Sequence, residues 1–362
     1  MKIVIMHQTI SKHDAIGNDI FFFFYYLKKK HDVYIYCENL LNDNLKSINR
    51  KELNFLLKEP KNLLIYHHSI FWIDGEKILD TAKCKIWIKY HNVTPPFFFK
   101  DYTEKYYYLC KEGRKQTKRL LDKYSENLWI SDSEYNFKEL NIKLKENHTI
   151  LSPFNNIEKF KDVVPDKVVL NMLLNKNNKV KLLFVGRVAP NKGHIKLIET
   201  IEKYKKIYDE NILLYVVGAF DDELTRYNYL LKKQITDLKL EQNIFFVNKI
   251  NDENLLSFYL GCDYFLCLSE HEGFCVPVVE AQSLCLPVIS SNSSALPETL
   301  GSDQIIFKND EILSFISSIN ILENNFEYRK FIVDKGYNNY NLRFKNEVVK
   351  EKLFNFVNNE KG

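Results

Sequence analysis

The chain has 362 residues, 45% hydrophobic and 27% charged, with a net charge of +4. That length points to two domains, since a single core stops growing near about 250–300 residues. The composition excludes disordered and collagen-like chains, and the charge is small for a nucleic-acid binder, so no nucleic-acid partner is expected. With 11 glycines and 9 prolines, the chain reads as helix-rich.

Charge is unevenly placed. Residues 1–150 carry 25 Lys and Arg against 19 Asp and Glu, and the remainder 26 against 28. A basic amino half suits an anionic partner, and equally a face of solvated lysines. Seven cysteines, with no C-x-x-C pair, read as free thiols of a reducing compartment. The apolar start is too short for a signal peptide. The longest apolar run, Ile20–Leu27, is far below the about 20 residues of a spanning helix. A cytoplasmic protein is expected.

In chain order, Lys2–Met6 is a short apolar run that ends in a polar loop. Asn18 or Asp19 is placed to cap a helix through the Phe/Tyr block to Lys30, and Val33–Cys37 reads as the next strand. Phe21–Phe24 fits one buried helix face. Strands are predicted at Leu63–Tyr66, Ile86–Tyr90 and Leu128–Ile130, with helices near Glu104–Lys123 and Tyr135–Lys145. This βαβ succession implies an α/β fold, a parallel sheet covered by helices.

Ser152-Pro-Phe-Asn-Asn and Val164-Pro165 interrupt the series, and a division is placed within 152–178. The order then restarts with strands at 180–185, 212–217, 244–247, 263–268 and 287–290. Helices are predicted at 194–207, 223–238, 253–260 and 277–284. Two Rossmann-like halves result. Tyr328–Asn358 alternates charged and aromatic residues at helical spacing, as a helix packing back across the junction would.

Ligands of open α/β sheets bind at the carboxyl ends of strands. Phe184-Val-Gly-Arg187-Val-Ala-Pro-Asn-Lys192-Gly193 ends a strand and brings two cations before a helix. Arg forks onto phosphate oxygens and Lys adds a mobile charge; a basic surface turn would look the same. Ser269-Glu-His-Glu272-Gly273-Phe274-Cys275-Val276-Pro277-Val-Val-Glu280 joins another strand end to a helix start. Its amides suit an anion, and its two carboxylates suit pairs of sugar hydroxyls. Helix capping accounts for one glutamate but not both. Tyr90-His91-Asn92-Val-Thr-Pro-Pro96 places a histidine directly after a strand, where a structural histidine is also common. There is no D-x-D, G-x-G-x-x-G, P-loop or zinc spacing, so neither a metal nor another cofactor is expected.

These residues resemble retaining glycosyltransferase family 4, of GT-B fold. The resemblance rests on G-R-V-x-x-x-K-G at 186–193 and on the E-x7-E pair Glu272 and Glu280. Pro287-Val-Ile-Ser290 and Leu296-Pro297-Glu298 extend it. The first half is similar to a bacterial surface-polysaccharide subset through Tyr66-His-His-Ser-Ile70, Tyr90–Pro96, Cys110-Lys-Glu-Gly-Arg114 and Asp132-Ser-Glu-Tyr-Asn136.

The resemblance implies an acceptor domain over 1–163, a donor domain over 164–340, and a terminal helix over 341–362, with facing sheets and a donor cleft between them. It implies that Arg187 and Lys192 hold the donor diphosphate and that Glu272 holds hydroxyls of the transferred sugar. Gly273 and the backbone of Phe274, Cys275 and Val276 would help, and Glu280 would take the ribose. Lys249 and Ile250 would meet the base, His91 the sugar's C6 hydroxyl, and Gly17 the diphosphate. Three departures stand out. Cys275 and Cys285 occupy usual glycine positions, for which altered packing is expected, and Asp14-Ala-Ile-Gly17-Asn18 lacks a double glycine.

The implied reaction is retaining, metal-independent transfer of a hexose from a nucleotide sugar, GDP-mannose or a UDP-hexose. The acceptor would be a hydroxyl of a lipid-linked saccharide, in surface polysaccharide or lipopolysaccharide biosynthesis. Lys100, Lys105, Lys111, Arg114, Lys115, Lys118, Arg119 and Lys123, with Tyr106–Tyr108 among them, would then touch anionic lipid on the inner face of the membrane, or form a solvated helix. Two rivals share the architecture: a nucleotide-sugar epimerase, and a non-catalytic nucleotide-sugar-binding protein.

Overall fold

The computed structural model describes residues 1–12, 14–140, 147–175, 179–208 and 211–359. The chain divides into two compact units. Met1–Pro96, Tyr106–Asn156 and the segment from Asn346 onward make the first, and Phe97–Lys105 with Ile157–Lys345 the second.

The first unit holds strands β1 (Lys2–Met6), β2 (Thr9–Ser11), β3 (Asp32–Tyr36), β4 (Asn39–Leu41), β5 (Leu63–His68), β6 (Lys85–Tyr90), β7 (Leu128–Ser131) and β8 (His148–Ile150). Its helices are α1 (Ala15–Leu27), α2 (Arg50–Leu56), α3 (Ile73–Thr81), α5 (Glu134–Leu140) and most of α4 (Glu104–Tyr124). The main sheet is parallel, in the order β3-β1-β5-β6-β7-β8, while β2 and β4 pair separately. Every residue of β5 is buried, as expected for a parallel strand covered on both faces.

Helix α1 begins before the predicted cap. Asp14 is the capping residue, accepting from the Gly17 N–H at 2.6 Å. Asp19 lies buried within the helix and accepts from the Phe154 N–H at 2.8 Å. Nor do Phe21–Phe24 share one face, because successive helical residues turn by about 100° and four of them sweep most of the circumference. Phe22 and Phe23 are buried, Phe21 and Phe24 only partly. The predicted helix near Tyr135–Lys145 is α5 as far as Leu140; 141–146 lie outside the described residues, as do 176–178 of the predicted division and 360–362 of the predicted terminal helix.

The second unit holds β9 (Val180–Val185), β10 (Ile212–Val217), β11 (Ile244–Val247), β12 (Tyr264–Cys267), β13 (Val288–Ser291) and β14 (Ile305–Phe307). Its helices are α6 (Lys167–Leu174), α7 (His194–Ile207), α8 (Thr225–Asp237), α9 (Asp252–Gly261), α10 (Val276–Ser283), α11 (Leu296–Leu300), α12 (Ile312–Asn324) and α13 (Phe326–Arg343). The sheet is parallel in the order β11-β10-β9-β12-β13-β14. The strand order reverses between β9 and β12, where a doubly wound sheet opens a crevice at its carboxyl edge.

The Tyr328–Asn358 stretch is two helices, α13 and α14 (Asn346–Asn359), separated at Phe344-Lys345. Val349, Leu353 and Val357 of α14 are fully buried in the core of the first unit. Among the described residues, no helix is long and apolar enough to cross a membrane.

Candidate active site

The β9–α7 and β12–α10 connections meet at the reversal point of the second sheet. Gly193 makes the approach possible. It sits at φ +72°, and a Cβ there would lie 1.9 Å from the Leu268 carbonyl oxygen. Asn191 stitches the two loops, its carbonyl accepting from the Glu270 N–H at 2.9 Å and its Nδ2 donating to the His271 carbonyl at 3.1 Å.

Across this seam Lys192 Nζ lies 2.7 Å from both carboxylate oxygens of Glu272, with Lys192 24% and Glu272 9% exposed. Burial alone would lower the Lys192 pKa, but Glu272 outweighs it and the ammonium is held above its ordinary value. The Glu272 N–H donates to Ser294 Oγ at 2.7 Å. Arg187, 52% exposed, reaches Asp221 at 3.4 Å. Both cations therefore follow β9 and each meets a carboxylate, Lys192 closely and mostly buried, Arg187 at longer range and half exposed.

Glu272, Gly273, Phe274 and Cys275 lead into α10, which no side chain caps, and Pro277 occupies its first turn. Phe274 is pinned by Phe344, ring centroids 5.2 Å apart, and by the Thr299 hydroxyl, which donates to its carbonyl at 2.6 Å. Val276 is the first residue of α10. One turn on, Glu280 accepts from the Tyr259 hydroxyl at 2.7 Å. Burial pushes its carboxyl up to about 7, the Tyr259 hydrogen bond opposing and Asp252 adding to the rise. Lys249 and Ile250 follow β11 at the same carboxyl edge, the lysine exposed and the isoleucine packed on the core.

The two cysteines at usual glycine positions share a cause that composition does not show. Cys275 has φ 80° and Cys285 φ 58°, both left-handed. Cys285 ends α10 in a Schellman motif, with its own N–H donating to the Gln282 carbonyl and the Leu286 N–H to the Ala281 carbonyl. The departure therefore strains the backbone, and is not one of packing alone.

His91 and Gly17 belong to the first unit. The Gly17 N–H already bonds Asp14, and a Cβ on Gly17 would lie 1.7 Å from the Ser11 carbonyl oxygen. Close approach of helix and loop therefore accounts for this glycine. His91 lies in a buried polar cluster at the carboxyl ends of adjacent strands. Its Nδ1 is 2.8 Å from Asp132 Oδ2 and its Nε2 is 2.8 Å from His67 Nδ1. Lys89 Nζ stands 3.3 Å from Asp19, 3.2 Å from Asp132 and 2.9 Å from the Leu151 carbonyl. Burial holds His67 well below its ordinary pKa. It would push Asp132 up, but His91 and Lys89 overcome it and hold that carboxyl low.

Asp19, His67 and His91 have the spacing of metal ligands, yet the Lys89 ammonium already supplies positive charge at Asp19. The group therefore fits an ion-pair network better than a metal site. Sequence reading missed this cluster, and also Tyr259, Ser294 and Asn191. The signal available was a polar residue at or just past the ends of four adjacent strands: His7, His67, His91 and Asp132.

Of the eight cations between Lys100 and Lys123, five pair with carboxylates and Lys111 lies over the Tyr107 ring. Lys105 pairs with Glu223, Arg114 with Glu139, Lys115 with Glu112, Arg119 with Glu76 and Lys123 with Asp80.

Residues 171–339 match the family model described as glycosyl transferases group 1. The matched residues lie within the second unit. The mannosylfructose-phosphate synthase of Agrobacterium fabrum is 31% identical over 28% of this chain and 23% of its own length. The capsular polysaccharide biosynthesis glycosyltransferase CapH of Staphylococcus aureus is 27% identical over 62% of this chain and 58% of its own. The chain thus spans less than two thirds of the length of both curated relatives. Among solved structures, HepE of Anabaena in complex with UDP superposes with a TM-score of 0.76 at 14% identity, covering 99% of this chain and 100% of that one. The fold is GT-B.

Proposed function

We propose that the chain is a retaining glycosyltransferase of family 4, which moves a hexose from a nucleotide sugar to a hydroxyl of a saccharide acceptor. The observation that carries this reading is the meeting of Lys192, Glu272 and the uncapped start of α10 at the reversal point of the second sheet. All of them fall within the segment that matches the glycosyltransferase group 1 model.

In this reading Arg187 and Lys192 hold the diphosphate, Glu272 and the Gly273–Val276 backbone hold the sugar, and Glu280 holds the ribose. Lys249 and Ile250 border the base. As the glycosidic bond breaks, negative charge grows on the β-phosphate, where fixed cations and helix-end amides stabilise the transition state most. Arg187 and Lys192 supply that positive charge, so the transfer is proposed to need no divalent ion. The leaving phosphate accepts the acceptor's proton as the new bond forms on the same face.

A UDP-hexose is the favoured donor, because HepE was crystallised with UDP and with UDP-glucose; GDP-mannose is the alternative. The relation to CapH supports surface polysaccharide synthesis. A lipid-linked acceptor at the cytoplasmic face of the membrane completes the proposal. Its support does not come from the basic segment, most of whose cations are already paired. Sedimentation with anionic vesicles at low salt tests it, and no binding removes the membrane contact.

The reaction is tested by NMR of the product formed from UDP-glucose or GDP-mannose and a saccharide acceptor in EDTA. A new glycosidic bond with the donor's anomeric configuration is expected. An inverted product, a requirement for metal, or epimerised sugar without acceptor would overturn the reading.

A further inference from the structure

The two thiols beside the Lys192–Glu272 pair have no place in that mechanism. Cys267 ends β12 and is 1% exposed, while Cys275 precedes α10 at the opposite end of the Ser269–Phe274 loop. Their sulfurs are 4.0 Å apart, and Cys267 Sγ also lies 3.7 Å from Ser269 Oγ. Cys285 makes a contrast, being exposed and held in the same left-handed backbone. A strained cysteine alone is thus no sign of pairing; the facing sulfur is.

We propose that Cys267 and Cys275 are a reversible oxidation site, at which hydrogen peroxide forms a disulfide that reshapes the donor loop and weakens nucleotide-sugar binding. The effect on binding rests on the donor-site reading above. The peroxide O–O bond breaks and the S–S bond forms, and the two thiol protons leave in two molecules of water. The sulfurs must close from 4.0 Å to about 2.05 Å. That movement shifts the residues on either side of Cys275, Phe274 and Val276, whose backbone is assigned to the donor. The contact with Cys275 holds the Cys267 thiol below its ordinary value, which favours the thiolate that reacts with peroxide, while the same contact, burial and Glu272 hold Cys275 high.

The test treats the full chain with hydrogen peroxide, blocks remaining thiols, and maps the peptides by mass spectrometry. A Cys267–Cys275 cross-link that dithiothreitol removes is expected, with UDP binding at least tenfold weaker while it persists. Cys267→Ala should form no such link and keep its UDP affinity through the treatment. Should that variant not fold, the wild-type map decides. The proposal is overturned if Cys275 is oxidised or paired elsewhere while Cys267 stays reduced. It is equally overturned if the cross-linked chain binds UDP as the reduced chain does. If the reduced chain binds no nucleotide, the donor reading fails separately. Hydrogen exchange of 268–276 then decides whether the cross-link reshapes the loop: altered exchange supports the proposal and unchanged exchange overturns it.

Discussion

Lys192 and Glu272 neutralise each other, the ammonium 2.7 Å from both carboxylate oxygens. In the proposed reading, phosphate and sugar compete for groups that already hold one another. A nucleotide diphosphate drawing on Lys192 would free Glu272 for hydroxyls, so the two halves of the donor would be recognised together.

Glu272→Gln separates the two roles. It releases Lys192 while removing an anion from the phosphate's neighbourhood. UDP binding should be unchanged or a few-fold tighter, and transfer should fall at least tenfold. Lys192→Ala should weaken both, since a charge-assisted contact contributes about 1.5–3 kcal/mol. Calorimetry with UDP and initial rates on the same variants check the split.

Glu280 gives a pH signature. Its folded pKa, about 7, lies above its ordinary value of 4.5. Folding therefore favours the protonated form, and the stabilisation is full below 4.5 and lost as pH rises through about 7. Relative to Glu280→Gln, the wild type should lose melting temperature between those limits. Ribose hydroxyls donating to the carboxylate should reverse the shift, so nucleotide binding at pH 7 should release protons. Calorimetry in buffers of differing ionisation enthalpy detects that release.

Cys285→Gly should stabilise the chain. A left-handed conformation costs an L-residue roughly 1–2 kcal/mol, and glycine's looser unfolded chain returns up to about 1 of it. A gain of about 0.5–1 kcal/mol is expected, read as a higher guanidinium midpoint at unchanged m-value in reducing buffer.

Lys89→Met should be severe. It leaves the Asp19 and Asp132 carboxyls, 3.3 and 3.2 Å from the ammonium, without their buried cation. Breaking such a pair costs about 3–5 kcal/mol. Adding Asp19→Asn should recover part of the loss, which chemical denaturation of the single and double variants measures.

The alternation of strand and helix carried the fold, because each apolar run of β9, β10 and β11 is bounded by polar residues and predicts its strand end for end. The loops of the proposed donor site were legible as strand ends for the same reason: a strand end fixes where Arg187, Lys192 and Glu272 must emerge. The cap of α1 was not, since Asn18, Asp19 and Asp14 are all good capping types, and only packing sends Asp19 inward to Phe154. Tyr259 and Ser294 were invisible because each supports its glutamate from a separate strand–helix segment. The reason that glycine is usual where this chain has Cys275 and Cys285 was also hidden, for it lies in φ and not in side-chain volume.

The most direct test of the donor site is calorimetric titration of UDP, in EDTA, into the wild type and Arg187→Ala. UDP binding to the wild type without metal, at least tenfold weaker in the folded variant, is predicted. An absence of binding to UDP and GDP alike, binding that requires a divalent ion, or equal affinity in the variant would contradict the account.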